Sequence, residues 1–211
     1  MTDNIDKYNK GNATVKNGAD DQKSDKTDNL ETNIEDNERK MVDVIIPTYR
    51  PAKEFGELLH RLEKQEYRPN RILTGKEYWN SEWENYPLLE VHHLDQKDFD
   101  HGGTRKRAAE LSTADIMVFM TQDALPADRK MIGNLVRAVS RNSGTGAAYA
   151  RQLPKADCRF LERYTRSFNY PEQSSVKSLP DVETYGIKTY FCSNVCAAYD
   201  REIYQKIGGF V

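Results

Sequence analysis

Apolar residues along this chain fall either in short unbroken runs or at helical spacing, with polar segments between them. The most informative run lies within residues 115–126, where five consecutive apolar residues precede Thr121, Gln122 and Asp123. An unbroken run of this length is typical of a strand buried on both faces of a parallel sheet, so we predict a strand over 116–121. Ligands of open α/β sheets bind beyond the carboxyl ends of strands. We therefore expect Asp123 to be buried there and to hold a metal ion or a polar ligand group, although an ordinary Asp/Pro turn explains the same residues.

Further runs and spacings predict an alternating series of strands and helices. Residues 42–47 form a strand-like run that ends in a proline, and Phe55, Leu58, Leu59 and Leu62 then recur at the spacing of an amphipathic helix. The other predicted elements are strands over 71–74, 88–94, 147–150 and 190–198, helices over 102–112 and 131–139, a short helix from Asp200, and a turn at Gly208 and Gly209. Residues 152–186 are aromatic and basic with little periodicity, which predicts a long excursion over a ligand site. The alternation predicts an α/β fold with a mostly parallel sheet.

Composition divides the chain into two parts. Residues 1–40 contain eight apolar residues against ten acidic and seven basic ones. So few apolar side chains cannot offset the loss of chain entropy on folding, and we predict a disordered polar tail there. Residues 41–211 then form one folded domain of ordinary size.

Several classes of protein are excluded by composition and charge. No apolar segment reaches the roughly 18 residues of a transmembrane helix, and the first residues lack the order of a signal peptide. The near-neutral charge of residues 41–211 argues against nucleic acid as the main partner. The three cysteines form no paired zinc pattern, and we expect Cys192 and Cys196 to be core residues. These features favour a protein of the cytoplasm.

The first segment with candidate chemistry follows the first predicted strand. Pro47 begins a turn in which Thr48 offers a hydroxyl group, Tyr49 a stacking face and Arg50 a guanidinium that can pair with phosphate. A rigid turn between a strand and a helix, without a ligand, is the alternative interpretation.

The second segment, residues 98–107, contains a glycine pair at a predicted helix start. Gly102 and the glycine after it allow close approach of the backbone to a ligand, and the helix start together with Arg105 suits a phosphate group. Asp100 and His101 could contact a base or sugar, or simply cap the helix. The spacing is not that of the dinucleotide-binding fingerprint, and no P-loop occurs in the chain.

The third segment, residues 121–123, suits a divalent cation. Mg²⁺ usually takes one or two carboxylates together with phosphate oxygens, so Asp123 could hold a metal ion that bridges a diphosphate. Such an ion, or the arginines alone, would neutralise charge on a leaving nucleoside diphosphate.

Taken in order, the sequences Val-Ile-Ile-Pro-Thr-Tyr-Arg-Pro, Phe-Asp-His-Gly-Gly-Thr-Arg and Met-Thr-Gln-Asp-Ala-Leu-Pro resemble those of family 2 glycosyltransferases, in particular the bacterial rhamnosyltransferase-like branch. The resemblance runs from Val42 to Phe210. It implies a GT-A fold and an inverting transfer from a nucleoside-diphosphate sugar, usually dTDP-L-rhamnose. It also implies a glycan or lipid-linked acceptor in the synthesis of cell-surface polysaccharide, at the inner face of the membrane with possible peripheral contact.

The resemblance also assigns roles to individual residues. Asp123 takes the place of the last carboxylate of the metal motif, which would hold Mg²⁺ or Mn²⁺. Ser193 and Asn194 would lie beside the donor sugar or the acceptor, and Gly208 and Gly209 match the family's Gly-Gly-Phe turn. The predicted nucleotide-sugar site consists of Pro47, Thr48, Tyr49, Arg50, Asp100, His101, Gly102, Arg105, Gln122 and Asp123.

The sequence also departs from the family pattern. Thr121 stands where many members have the first carboxylate of the metal motif, and Lys106 stands where they have Asn. Glu77 is a weak candidate for the acidic residue that commonly reads the base. The acidic pair that supplies the general base should follow the Gly-Gly-Phe turn, and therefore lie beyond Val211. We accordingly expect the donor-binding portion of a glycosyltransferase, as a fragment, a frameshift product or one half of a split enzyme.

Two other classes of protein remain to be compared. A non-catalytic module that binds a nucleotide sugar would equally lack the general base. A sugar nucleotidyltransferase shares the α/β plan, but it uses a glycine-rich loop with an arginine after its first strand, and residues 47–51 do not provide one.

Overall fold

The computed structural model describes residues 39–75, 83, 85–92, 94–155 and 157–210. The predicted polar tail lies outside these residues except for its last two positions, and so do Glu77 and Val211. The boundary between tail and domain therefore stays a prediction.

One six-stranded sheet, with the strand order β3-β2-β1-β4-β6-β5, organises the described part of the chain. Its strands are β1 Val42–Ile46, β2 Arg71–Gly75, β3 Leu89–His92, β4 Ile116–Met120, β5 Ala147–Tyr149 and β6 Cys196–Asp200. β1, β2, β3 and β4 pair in parallel, whereas β6 runs antiparallel to both of its neighbours. The predicted α/β fold with a mostly parallel sheet is confirmed.

Helices cover both faces of this sheet. They are α1 Glu54–Glu63, α2 His101–Leu111, α3 Met131–Val139, α4 Phe160–Asn169, α5 Val182–Tyr185 and α6 Arg201–Lys206. Short 3₁₀ helices occupy Gln96–Asp98, Leu179–Asp181 and Gly186–Tyr190. Within the described ranges, no helix has the length and apolar character needed to cross a bilayer.

Alternation along β1 distributes its side chains between two cores. Val44 and Ile46 point to the face that α1 and α3 cover, where α1 contributes the predicted apolar stripe that includes Leu58 and Leu59. Ile45 points to the opposite face, where it packs with residues of β2, β4, α2 and α6. Every residue of β1 and β4 is buried, as expected for strands covered on both faces.

A buried carboxylate lies among these apolar residues. The Asp43 side chain is only 1% exposed and accepts a 2.8 Å hydrogen bond from Nη2 of Arg71, which also forms a 2.9 Å ion pair with Glu90. Ser112, at the end of α2, donates a second 2.8 Å hydrogen bond to Asp43. The hydrogen bond to Asp43 raises the pKa of the Arg71 guanidinium, so Arg71 stays charged. These contacts join β1, β2, β3 and the end of α2.

Two sequence predictions need correction. Residues 152–186 are not a continuous irregular excursion, because α4 and α5 form within them. The apolar residues of α4, which include Phe160 and Phe168, lie on an exposed face of the helix. Their helical spacing therefore does not indicate a buried core, and this helix was not predicted from the sequence. The last strand begins at Cys196 and not at Tyr190, since residues 186–190 form a 3₁₀ helix. Cys192 is exposed, contrary to expectation, whereas Cys196 is buried.

The predicted turn after α6 requires its two glycines for different reasons. Gly208 and Gly209 have φ angles of 89° and 71°, in the region that favours glycine. A Cβ atom at Gly209 would lie 2.8 Å from Cε1 of Tyr204, whereas one at Gly208 would meet nothing within 4 Å. The turn returns the chain to the sheet, where the Phe210 ring packs edge-on against Phe119.

We expect Gly208→Ala to lower the free energy of unfolding by about 1 kcal/mol, because it adds backbone strain alone. Gly209→Ala should cost about 2–3 kcal/mol, because the new methyl group also overlaps the Tyr204 ring. Urea unfolding of the two variants beside the unmodified chain measures both values. Equal costs at the two positions would contradict this account of the turn.

Candidate functional site

The carboxyl ends of the parallel strands meet at one edge of the sheet. β1, β2, β3 and β4 end there, and the antiparallel β6 begins there. Thr121 donates a 3.1 Å backbone hydrogen bond to Val195, which places the segments after β4 and before β6 side by side. The predicted site segments 47–50, 121–123 and 193–194 are therefore brought to this common edge. Since β1 lies between β2 and β4, the strand order reverses here, where open α/β sheets bind ligands.

A cavity of about 390 Å³ opens between the ends of β1, β2 and β3 and the helix α2. Its apolar walls include Ile45, Leu73 and Leu111, and polar side chains lie between them. This combination is typical of small-molecule sites. The lining residues are Ile45, Ile46, Pro47, Thr48, Tyr49, Leu73, Thr74, Gly75, His92, Leu94, Phe99, Thr104, Arg107, Ala108, Glu110 and Leu111.

Thr48 closes the cavity between β1 and β2. Its hydroxyl group donates a 2.7 Å hydrogen bond to the carbonyl of Gly75 and lies 2.9 Å from the hydroxyl of Thr74. The side chain is almost fully buried. Pro47 and Thr48 thus line the cavity, and the hydroxyl of Thr48 also fixes the separation of the two strand ends.

Gln122 fastens the turn after β4 to the turn after β1. Its Oε1 accepts a 2.8 Å hydrogen bond from the backbone N–H of Tyr49, and its Nε2 donates a 3.1 Å bond to the carbonyl of the same residue. The next residue, Arg50, has a φ angle of 44°, and its guanidinium lies 5.2 Å from the centre of the Tyr49 ring. Gln122 therefore positions the Tyr49–Arg50 turn at the mouth of the cavity.

Asp100 caps α2. Its carboxylate accepts a hydrogen bond from the backbone N–H of Gly103, while its own N–H donates to the hydroxyl of Thr104 at 3.3 Å. A Cβ atom at Gly103 would lie 2.9 Å from Oδ2 of Asp100, so the cap requires a glycine there. His101 is exposed and packs edge-on against Phe99, and Gly102 lies in the first turn of the helix. Of the two interpretations of Asp100, the structure supports the helix cap.

Arg105 is a half-buried cation without a carboxylate partner among the described residues. One Nη donates a 2.9 Å hydrogen bond to the carbonyl of His101, whereas the buried Nε has no partner. Burial lowers the pKa of the guanidinium, opposed by the nearby Tyr199. A buried cation is costly unless it is paired, so the site favours an anion beside Arg105.

Asp123 does not have the environment that the sequence predicts. β4 ends at Met120, and Asp123 is exposed in the following turn, which the bond from Ala124 N–H to the carbonyl of Thr121 closes. The reason is local, since the chain leaves the sheet before it reaches this carboxylate. Over the described ranges, no group of three His, Cys, Asp or Glu side chains could hold a metal ion by itself. The structure thus offers one exposed carboxylate and no preformed metal cage there.

Ser193 and Asn194 lie in the segment before β6. Ser193 accepts a 2.9 Å hydrogen bond from Nε2 of Gln152, and Asn194 accepts a 2.7 Å bond from the Tyr199 hydroxyl. Gln152 in turn accepts a 2.6 Å bond from Arg166 of α4. These bonds tie α4 and the segment before β6 into one polar network beside the site.

Sequence reasoning missed several residues of the cavity. His92 ends β3 and Phe99 precedes the predicted glycine pair, yet neither was assigned a role, whereas Arg107 was expected only to add positive charge near a phosphate. The position of His92 at a strand end was a usable signal, because the same argument identified Thr48 and Asp123. The adjacent His93 lies outside the described residues.

Comparison with known proteins identifies the class of this α/β protein. Residues 76–208 match the model of the family described as glycosyl transferase family 2. The chain is 38% identical over 176 residues to O-antigen chain rhamnosyltransferase RfbN of Salmonella typhimurium, which covers 80% of the chain and 55% of that protein. It is 31% identical over 172 residues to O-antigen chain rhamnosyltransferase WbaN of Salmonella anatum, and this match covers 79% of the chain and 54% of that protein. The chain belongs to glycosyl transferase family 2, and it spans about half the length of these relatives.

Solved structures support the same fold. A mannosyltransferase from Pyrobaculum calidifontis, in complex with GDP-Man and Mn²⁺, has a TM-score of 0.58 at 21% identity, covering 82% of this chain and 48% of that one. Staphylococcus aureus TarS 1–349 in complex with UDP-GlcNAc has a TM-score of 0.54 at 16% identity, and the match covers 81% of this chain and 48% of that one. These similarities confirm the predicted GT-A-type fold.

We expect Asp100→Ala to lower the free energy of unfolding by about 1 kcal/mol, because α2 loses its cap. Asp100→Asn should cost only a few tenths of that amount, since the amide oxygen can still accept from Gly103. Urea unfolding without any ligand makes the comparison. If neither change alters stability, Asp100 is not acting as a cap.

Proposed function

We propose that this chain binds the nucleoside-diphosphate sugar, dTDP-L-rhamnose, that a glycosyltransferase uses as its donor. The observation that carries the proposal is the half-buried Arg105, which has no carboxylate partner among the described residues and lies on the helix that also lines the apolar cavity. An apolar cavity suits a base and deoxyribose, and a desolvated guanidinium suits a diphosphate. The two rhamnosyltransferase relatives support the choice of rhamnose.

The proposed reaction is an inverting displacement. An acceptor hydroxyl attacks the anomeric carbon of the sugar, the bond to the diphosphate breaks, and the nucleoside diphosphate leaves with the electron pair. Arg105 would stabilise the charge that develops on the leaving diphosphate, because its position is fixed before the reaction begins. The step also needs a general base within hydrogen-bond reach of the acceptor hydroxyl, which we assign to none of the described residues.

Asp123 would provide the protein ligand for Mg²⁺ or Mn²⁺. Its carboxylate is exposed at the edge where the strands end, and an oxygen ligand fits both ions. One carboxylate is sufficient when phosphate oxygens and water complete the coordination. The Mn²⁺ in the related mannosyltransferase complex supports this role. The bound ion would supply positive charge beside the leaving diphosphate.

A non-catalytic donor-binding module is the second candidate function. We assign the general base to none of the described residues, and a module that only binds the donor requires none. Release of dTDP from dTDP-L-rhamnose in the presence of an acceptor separates an enzyme from a module.

The first test of donor binding is thermal unfolding with dTDP and Mn²⁺. A ligand that binds only the folded state raises the transition temperature, equivalent to about 2.7 kcal/mol at a hundredfold excess over Kd. Arg105→Met should weaken dTDP binding tenfold or more, since a charge-assisted bond to phosphate is lost. Asp123→Asn should remove the contribution of Mn²⁺ while leaving metal-free binding intact.

Lys106→Met is the matched control for Arg105. It removes the same charge from the next position of α2, where the side chain is exposed, so dTDP binding should change less than about threefold. Equal losses of dTDP affinity in the two variants would mean that only the net positive charge of α2 matters, and not the position of Arg105. No shift with dTDP in the unmodified chain would overturn the proposal.

We also propose a peripheral contact of α4 with an anionic membrane surface, on the side where a lipid-linked acceptor would approach. Phe160 and Leu161 are 83% and 72% exposed on one face, and Arg159 and Arg163 lie beside that face. Apolar and basic residues in this arrangement suit the lipid interface.

Vesicles containing phosphatidylglycerol should co-sediment the chain, and Leu161→Glu should abolish this because it places a negative charge on the apolar face. Ser143→Glu, which adds the same charge to the exposed turn after α3, should have a clearly smaller effect. Equal losses of vesicle binding in the two variants would mean that the apolar face of α4 has no specific role. If the unmodified chain does not bind the vesicles, the proposed membrane contact is wrong.

A further inference from the structure

His92 occupies a position in the cavity that the donor-binding proposal does not yet use. It is the last residue of β3 and lines the cavity beside Gly75, its partner in β2. Glu90 and His92 are two residues apart in a strand, so they point to the same face of the sheet. Leu73, opposite Glu90, packs in the core that contains Ala109 of α2. The His92 side chain is therefore on the cavity side of the sheet.

A chain of charged hydrogen bonds orients the His92 ring from the core. Nε2 of His92 lies 2.8 Å from Oε1 of Glu90, whose other oxygen accepts a 2.9 Å bond from Arg71. Arg71 is held in turn by the buried Asp43 at 2.8 Å. Each member has its partner in an adjacent strand or on the same strand, so the ring is fixed before any ligand arrives.

This orientation determines which hydrogen bond the ring can offer. An ionised carboxylate only accepts, so Nε2 of His92 carries the hydrogen that Glu90 accepts. In the neutral imidazole the other nitrogen, Nδ1, is then an acceptor. An acceptor in a base pocket pairs with an imino N–H, which thymine and uracil carry at N3. Cytosine presents a lone pair at N3 instead, and two acceptors cannot bond.

We infer that His92 is a specificity-determining residue that selects a pyrimidine with an N3–H group, thymine or uracil, over cytosine. The inference rests on the proposed donor-binding function and adds the recognition of the base. Thr48 and Thr74 also line the cavity, but their hydroxyl groups bond to each other, and Thr48 bonds to Gly75 as well. Glu110, an exposed carboxylate of α2, is the competing acceptor in the lining.

The test is the binding of dUDP and dCDP, measured by titration calorimetry at pH 8, where free imidazole is neutral. This pair of ligands differs only at the N3 and C4 edge of the base. The unmodified chain should prefer dUDP by tenfold or more, since a buried unpaired polar group is costly. His92→Phe keeps the aromatic wall and should reduce the preference to within about twofold. Glu110→Gln is the matched control and should retain it.

Nitrogen-15 NMR of the unmodified chain tests the same inference without a substitution. The chain has only four histidines, so their ring nitrogens can be resolved. The Nε2–H tautomer of His92 should be present in the free protein, and the Nδ1 signal should move when dUDP binds but not when dCDP binds at the same occupancy.

Three outcomes would overturn the inference while leaving donor binding in place. These are equal affinity of the unmodified chain for dUDP and dCDP, an unchanged preference in His92→Phe, and loss of the preference in Glu110→Gln. Absence of binding by any nucleoside diphosphate would instead overturn the proposed function, and the role of His92 with it.

Discussion

The buried ion pair between Asp43 and Arg71 is the interaction on which the arrangement of the site depends. A carboxylate that is 1% exposed inside a strand would be very costly without a partner, and removing the partner of such a pair typically costs about 3–5 kcal/mol. Arg71 satisfies Asp43 and reaches Glu90 of β3, while Ser112 bonds the same carboxylate from the end of α2. The strands and the helix that enclose the cavity are thus held at fixed positions by one connected set of charges.

Most polar side chains at the strand ends are engaged in holding the loops. Gln122 bonds the backbone of Tyr49 twice, and Thr48 bonds Gly75. These bonds leave the loops rigid, so the groups that remain for a ligand are already positioned. Arg105 differs, because its buried Nε has no partner among the described residues. An incompletely satisfied cation on the helix that also lines a rigid pocket is a physical reason for an anionic ligand to bind there.

The sequence predicted which segments meet at this edge of the sheet, but it did not determine which contacts each side chain makes there. The strand-end rule predicted that Thr48 and Asp123 lie where strands end at one edge of the sheet, and the family resemblance added Arg105 of α2. They could not separate a helix cap from a ligand contact at Asp100, since both need a carboxylate before the same helix. Nor could they foresee that Gln122 bonds a backbone 73 residues away, because that contact depends on two loops meeting in space.

The apolar runs by themselves determined the strands β1 and β4 and the α/β class, because a strand covered on both faces is made mostly of apolar residues. Gly209 and Gly103 likewise follow from local geometry, because a Cβ atom there would collide with a neighbouring side chain, and Gly208 follows from its positive φ angle. Only the tertiary structure decided that β6 joins β4 antiparallel, that the apolar face of α4 points outward, and that His92 faces the cavity. The spacing of apolar residues shows that a helix or strand has two different faces. The packing of elements distant in sequence determines which residues contact each face.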